Sequence, residues 1–464
     1  MNASSPEAVG GFIRLAELAT RTRVIDRDGA FDLAKLAHGS ALADPASLVG
    51  ASVVVCVSSQ RAAAAAMVEL DGLARCFVLI PPDLSKSDLA AVIEDAGVEW
   101  IVSDVPEEFA YECRTRVARL DLNKLCTAPP TARPFDTDWI MLTSGTSGRP
   151  KMVAHSLAAL TDAIPRRTDA DARTVWATFY DIRRYGGLQI FLRAIVGGAN
   201  MALSDPNELL PDQLVRFGAS GVTSISGTPS HWRRVLMTGD RGAFQPLYVR
   251  LSGEIADQNV LDALHATFPK AKVGHAYAST EAGVAFAIDD GQEGFPASLV
   301  DSAVNGVEMR VVEDVLHIRS ARTASCYVGP RAPALKDAEG FVDTGDLLER
   351  RGDRYMFAGR RGGIVNVGGA KVNPEQVESI LNQHPAISMS LVYARRNPIT
   401  GAVVAADIVL QAGLTGDVRL KQDIFEFCTA ALERHKVPAV LRFVGHLPLS
   451  SGGKLLRDRA RADA

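Results

Sequence analysis

Residues 141–155 read MLTSGTSGRPKMVAH, a hydroxyl- and glycine-rich loop set between an apolar run and a second short apolar segment. The lead-in, Trp139-Ile140-Met141-Leu142, has the length and bulk of a buried strand. The loop is therefore expected at a strand's carboxyl end, where open α/β sheets bind ligands. Gly145 and Gly148 let the backbone approach oxygen atoms closely. Thr143, Ser144, Thr146 and Ser147 offer hydroxyl donors, and Lys151 adds a cation. Together they make a phosphate-gripping loop. It is not a Walker A loop, because no Gly-x4-Gly-Lys followed by Ser or Thr occurs here. A Ser/Gly surface loop is the plain competing reading.

Four further motifs lie downstream: Tyr277-Ala278-Ser279-Thr280-Glu281, Asp343-Thr344-Gly345-Asp346-Leu347, Gly359-Arg360 running into Val367-Gly368-Gly369-Ala370-Lys371-Val372, and Ser451-Gly452-Gly453-Lys454-Leu455-Leu456-Arg457. In this order and spacing the five resemble the signature set of the adenylate-forming superfamily. That superfamily includes acyl-CoA and aryl-CoA synthetases, adenylation domains of peptide synthetases and luciferases, and the resemblance is nearest to the acyl-CoA/aryl-CoA ligases. It spans residues 53–457, matching only in pattern towards the amino terminus. Three positions depart from the usual motif residues: Ala278 and Met152 stand where glycines are usual, and Gly362 where Asp or Lys is usual.

Composition narrows the class. A chain of 464 residues exceeds one hydrophobic core and suggests two to three domains, and 47% hydrophobic with 22% charged residues is ordinary globular content. A formal net charge of −4 gives no footprint for nucleic acid or an anionic membrane, so neither is expected as a partner. The six cysteines, at 56, 76, 113, 126, 326 and 428, show no metal-ligand spacing and read as reduced core residues. With no targeting segment or membrane span apparent, a cytoplasmic location is the default expectation.

Along the chain, residues 53–57 (strand), 61–73 (Ala-rich helix), 76–80 (strand), 89–96 (helix) and 98–102 (strand) have βαβ grammar, implying a parallel, doubly wound sheet. A second alternation runs over residues 174–272. Period-two patterning at 306–319, GVEMRVVEDVLHIR, predicts a small antiparallel β-rich subdomain. The apolar pattern lapses at 350–363, RRGDRYMFAGRRGG, the best domain boundary. Beyond it come a helix at 373–383, strands at 387–393 and 403–410, and a helix at 422–434. The expected fold is α/β: a large N-terminal domain of doubly wound sheets with a β-rich subdomain (1–360), then a small mobile α+β C-terminal lid (361–464).

The resemblance implies ATP-dependent activation of a carboxylic acid as an acyl-adenylate with release of pyrophosphate, a reaction that needs charge neutralisation around the phosphates. It implies that the 141–151 loop grips the β- and γ-phosphates, that Glu281 holds Mg²⁺, and that Thr280 bonds the α-phosphate. By the same resemblance Tyr277 offers a face to adenine, Asp346 accepts from both ribose hydroxyls, Arg360 is a second ribose contact, and Gly253 borders adenine and the acyl site. Lys454 would bridge the carboxylate and α-phosphate oxygens. Each has a plainer reading when taken alone: helix start, packing residue, turn or solvated lysine.

The acid pocket is expected from Tyr180, Arg183, Arg184, Tyr185, Gly186, Thr228 and His231. An arginine here would recognise a second carboxylate or a phenolate, or else form a surface ion pair with Asp181. The spacing from Asp181 to Gly198 is longer than in the peptide-synthetase branch of the superfamily, so the resemblance disfavours an amino acid and favours an aryl or medium-sized acyl acid. Gly368 and Gly369 would let a pantetheine thiol pass once the lid turns about Gly362. CoA is the expected acceptor, with the phosphopantetheine of an acyl carrier protein as the alternative. A non-catalytic nucleotide sensor is the reading from another class; retention of Lys151, Glu281, Asp346, Arg360 and Lys454 argues against it.

Overall fold

A computed structural model describes residues 14–109, 115–127, 133–143, 150–165, 173–239, 241–367, 370–397, 401–450 and 454–456. The described residues form five sheets. In the first, the strands Arg116–Arg119, Trp100–Ser103, Ser52–Val55, Cys76–Leu79 and Asp138–Thr143 run parallel, as the βαβ pattern predicts. Lys151–His155 then returns antiparallel to Asp138–Thr143, with Thr143 opposite Lys151, and Cys326–Val328 closes that edge. The strands Ser52–Val55 and Cys76–Leu79 are buried throughout, which explains their continuous apolar sequences.

The second sheet has eight strands, six of them parallel: Lys272–Ser279, Tyr248–Ser252, Ser224–Gly227, Val175–Thr178, Asn200–Ala202 and Arg23–Asp26. Its far edge is the early hairpin Arg23–Asp26 and Gly29–Asp32, which no sequence pattern singles out. Between the two large sheets lies the helix Gln60–Leu70, capped by the Ser59 side chain accepting from Ala62 N. Every residue of it but Arg61 is buried. Five consecutive alanines keep that helix thin enough to be covered on all sides, at the density that protein interiors require.

The third sheet is antiparallel and five-stranded, as period-two patterning predicts, and includes Val307–Val312 and Val315–Ser320. It also contains Val342–Arg351 paired with Arg354–Arg360. The expected boundary stretch is thus mostly a polar-surfaced hairpin, and the chain leaves this sheet only at Arg361–Gly363, a single 3-10 turn. Past that turn the chain builds a separate arrangement: the hairpin Val365–Val367 and Ala370–Val372, a three-stranded sheet built on Ile387–Asn397 and Gly401–Leu410, and the helices Pro374–Leu381 and Val418–Ala431. The last helix begins four residues before the position expected from sequence. Asp417 caps it by accepting from Leu420 N. Among the described residues no helix is long and apolar enough to cross a membrane.

Of the cysteines, Cys56, Cys76 and Cys428 are buried and Cys126 is intermediate, but Cys326 is exposed on its edge strand, correcting its reading as a core residue. Cys113 lies outside the described residues.

Candidate active site

Parallel strands place their carboxyl ends on one edge, and here the loops after Thr178, Gly227, Ser252 and Ser279 share it. Gly253, at φ +83°, follows the Tyr248–Ser252 strand. A Cβ there would stand 3.2 Å from Lys454 Cε, 3.7 Å from its Nζ and 3.6 Å from the Tyr180 hydroxyl. Lys454 is held over this glycine by its neighbour: Leu455 N donates to Glu254 Oε1 (3.1 Å), while Glu254 Oε2 accepts from Ser230 N (3.0 Å). Lys454 is exposed as a residue, yet protein surrounds its ammonium on several sides. Desolvation and then the nearby Arg360 charge push its pKa down.

On the cleft's other side, Asp346 sits where the strands Val342–Arg351 and Arg354–Arg360 pair, opposite Arg360. Arg360 Nε donates to Asp346 Oδ1 (2.8 Å) and the Tyr277 hydroxyl to Oδ2 (2.5 Å). The Tyr277 ring stacks on Phe286 (centroids 5.7 Å apart) and on Phe357 (5.1 Å). Burial and the Asp346 carboxylate raise the Tyr277 pKa well above its usual value, keeping the hydroxyl a donor. Asp346 is thus already engaged at both oxygens, each retaining a second lone pair for a ligand hydroxyl.

Thr280 and Glu281 follow the Lys272–Ser279 strand. His155, at the end of the strand leaving the glycine-rich loop, donates through Nε2 to the Thr280 carbonyl (2.7 Å), tying the two large sheets together at this motif. Burial pushes the His155 pKa down to about 4, so the ring is neutral. Sequence reasoning passes over this residue because its partner lies 125 positions away. Among the described residues, the Glu281 carboxylate accepts only a long contact from the Tyr327 hydroxyl (3.5 Å), and the Lys151 ammonium lies 5.2 Å above the Tyr327 ring. Thr143 and Lys151 flank the loop; Ser144, Gly145, Thr146, Ser147 and Gly148 lie outside the described residues, as do Gly368 and Gly369. Among the described residues, no group of three His, Cys, Asp or Glu side chains could hold a metal.

The expected acid-binding residues divide. Tyr185 and Gly186 line a small cavity at the start of the helix Tyr185–Gly197. Gly187, next in that helix, is obligatory, since a Cβ would fall 2.2 Å from the Asp181 carbonyl oxygen. Tyr180 donates to the Ser252 carbonyl (2.6 Å). Thr228 and His231 form a reciprocal capping box at the start of the helix Pro229–Met237. The His231 ring stacks on Phe179 at 5.3 Å, and burial pushes its pKa down to about 3. These two residues support the wall behind Tyr180.

Arg183 is corrected. It is buried, pairs with Asp181 through Nε (2.8 Å) and Nη2 (2.7 Å), and donates from Nη1 to the Val57 carbonyl (2.7 Å), so its donors are directed into the fold. The partner is the Asp181 considered from sequence, but the pair is not on the surface. Arg184 turns to Asp83. The cavity instead draws on Gln189, Ile190, Arg193, Ser226, Arg250 and Val284, none of which lies in a motif.

The sequence pattern of the AMP-binding enzyme family matches residues 45–323, and that of the AMP-binding enzyme C-terminal domain matches residues 376–454. A mitochondrial acyl-coenzyme A synthetase of Rattus norvegicus is 27% identical over 381 residues, 75% of this chain and 63% of that protein, so the chain spans less than two thirds of that relative's length. A 4-hydroxybutyrate–CoA ligase of Metallosphaera sedula is 26% identical over 432 residues, 83% of this chain and 75% of the relative. Among solved structures, a benzoate CoA ligase from Burkholderia xenovorans superposes with a TM-score of 0.81 at 18% identity, covering 97% of this chain and all of the other.

Proposed function

The chain belongs to the AMP-binding enzyme family, and from that premise we propose that it is an ATP-dependent acid–thiol ligase. In the first half-reaction a carboxylate oxygen attacks the α-phosphorus of ATP and pyrophosphate leaves. In the second, the thiol of CoA attacks the acyl carbon and AMP leaves. The reading rests above all on one observation: a lysine from the C-terminal unit is laid over Gly253 at the carboxyl edge of the large sheet, between the acid cavity and Asp346. A cation is useful there while two anions are being joined.

Each residue then has a stated task. Asp346 and Arg360 hold the ribose, with Tyr277 fixing the carboxylate. The stacked Tyr277 ring borders adenine rather than supplying a wholly free face. Thr280 meets the α-phosphate, and Lys151 with the glycine-rich loop meets the terminal phosphates. Glu281 presents a carboxylate that, among the described residues, hydrogen-bonds only through the long Tyr327 contact, which suits Mg²⁺ held by one carboxylate together with substrate phosphates. The ion would neutralise phosphate charge. Arg361–Gly363 is where the C-terminal unit would turn, with residues 1–360 and 361–464 as the two domains and Gly368 and Gly369 bordering the thiol path. CoA as acceptor is favoured by the two relatives described above, a CoA synthetase and a CoA ligase.

The test is exchange of labelled pyrophosphate into ATP across a panel of carboxylic acids. The expected result is exchange that depends on an acid, followed by thioester formation with CoA. Exchange that no acid stimulates would sink the ligase reading; exchange with transfer only to a carrier-protein thiol would replace CoA as the acceptor.

A further inference from the structure

The acid cavity contains two cations that the fold does not neutralise. Arg193 and Arg250 both line it. Among the described residues neither guanidinium has a hydrogen-bond or ion-pair partner, in contrast to Arg183, Arg184, Arg216 and Arg233 nearby, which all pair with carboxylates. Arg250 is 8% exposed. Its charge acts on the Tyr180 and Tyr185 hydroxyls and on Arg193. Burial, and then the Arg250 charge, push Arg193 down to about 10. Among the described residues, Arg193 is compensated by the face of Trp176, 5.7 Å away, and by Tyr248.

A third group points the same way. Ser226 is 1% exposed, lines the cavity, pairs with Arg250 in the sheet, and its Oγ has no hydrogen-bond partner among the described residues. The rest of the lining is mixed: Ile190, Val284 and Ala278 are apolar, while Tyr185, Gln189 and Ser252 bring polar atoms but no carboxylate. Two guanidiniums that no protein carboxylate pairs with, beside a buried hydroxyl without a partner, are donors that a bound anion would satisfy.

The placement gives the anion's position in the substrate. Tyr185, Gln189 and Arg193 recur at intervals of four on one face of the helix Tyr185–Gly197, so the cavity follows that helix inward. Gly186 is next to Tyr180, which lies under Gly253 and Lys454. Arg193 is seven residues further along, about 10 Å by helical rise, and its side chain leans back towards the cavity mouth. A compact substrate reaching from Lys454 into the cavity would therefore meet the arginines with its far end.

Resting on the ligase reading, we propose that the acid activated here carries a second carboxylate, bound between Arg193 and Arg250 with Ser226 as an additional donor. Arg183 is committed to Asp181 and the Val57 carbonyl, which leaves this pair as the charge-reading element of the cavity.

The test is pyrophosphate exchange with matched acids differing only in the distal group: pentanoate against pentanedioate, butanoate against butanedioate, and benzoate against its carboxylated derivatives. The wild-type enzyme should favour at least one diacid over its monoacid by about 100-fold or more in kcat/KM, because a site built for a polar group discriminates strongly against its absence. Arg250→Met and, separately, Arg193→Met should lower that diacid-to-monoacid ratio by at least about tenfold. Lys substitutions should retain part of it. Monoacids preferred throughout by the wild-type enzyme would overturn the proposal while leaving the ligase reading intact, and need no variant to fold. A ratio unmoved in folded variants would also overturn it. Exchange with neither class of acid would instead bring down the ligase reading on which it rests.

Discussion

Arg183 and His155 show how a side chain's work is decided by partners remote in sequence. Arg183 satisfies Asp181 and the Val57 carbonyl in a buried setting. Replacing it with Met would strand the Asp181 carboxylate, at a cost of about 3–5 kcal/mol. Urea denaturation of Arg183→Met should show that loss; a fully stable variant with altered acid ranking would restore the specificity role expected from sequence. The histidines make a second prediction. His155 and His231 are pushed down to about 4 and about 3 by burial. Their unfolded pKa is about 6.5, so below that pH the unfolded chain gains protons that the folded one refuses. Stability is therefore fully present above about pH 6.5 and falls as pH drops towards 4, by roughly 1.4 kcal/mol per pH unit for each histidine. Denaturation midpoints measured at pH 7.5, 6 and 5 should decline, and less steeply in His155→Gln. A flat or rising profile on acidification would contradict the neutral, buried assignment.

At the scale of elements, Glu254 links three pieces: the loop after the Tyr248–Ser252 strand, the start of the helix Pro229–Met237, and the backbone of Leu455. Glu254→Ala should slow adenylate formation by about tenfold, the value of one charge-assisted hydrogen bond, with Glu254→Gln intermediate because one acceptor oxygen remains. Unaltered pyrophosphate exchange in the Ala variant would remove Glu254 from the docking of Lys454. Much at this scale is legible in the sequence. The run at 139–142 is apolar on both faces because its strand is buried in a parallel sheet, and 306–319 alternates because its sheet is antiparallel. The cavity is not legible, since Arg193, Ser226 and Arg250 come from a helix and two strands and form no local pattern. Arg183 reads as a surface or substrate-facing residue because sequence does not show that Val57 covers it. The stretch at 350–363 reads as a boundary for a similar reason: most of it belongs to a hairpin whose further sheet partners lie elsewhere in the chain.

For the whole molecule, among the described residues the polar contacts between the C-terminal unit and the rest, besides Leu455–Glu254, include Asn259 Nδ2 donating to the Asn382 carbonyl (3.0 Å), Arg233 Nη1 to the Ser388 carbonyl (3.4 Å), Ser388 Oγ to Met237 Sδ (2.8 Å), and the Arg361–Asp343 ion pair (2.7 Å) at the junction itself. Such a polar junction suits a unit that leaves after the adenylate forms. Gly362, with nothing within 4 Å of a Cβ added to it, is a site where Pro would restrict rotation without a clash. Gly362→Pro should therefore impair one half-reaction more than the other; equal rates relative to wild type in both would argue against a turn at this point. The central claim is that Lys454 serves the joining of carboxylate and phosphate and nothing later. Its most direct test is Lys454→Ala assayed separately for acid-dependent pyrophosphate exchange and for thioester formation from supplied acyl-adenylate. Exchange should fall by at least about 100-fold, the loss of roughly 3 kcal/mol of charge stabilisation, while thioester formation persists. Equal loss of both, in folded protein, would contradict the account.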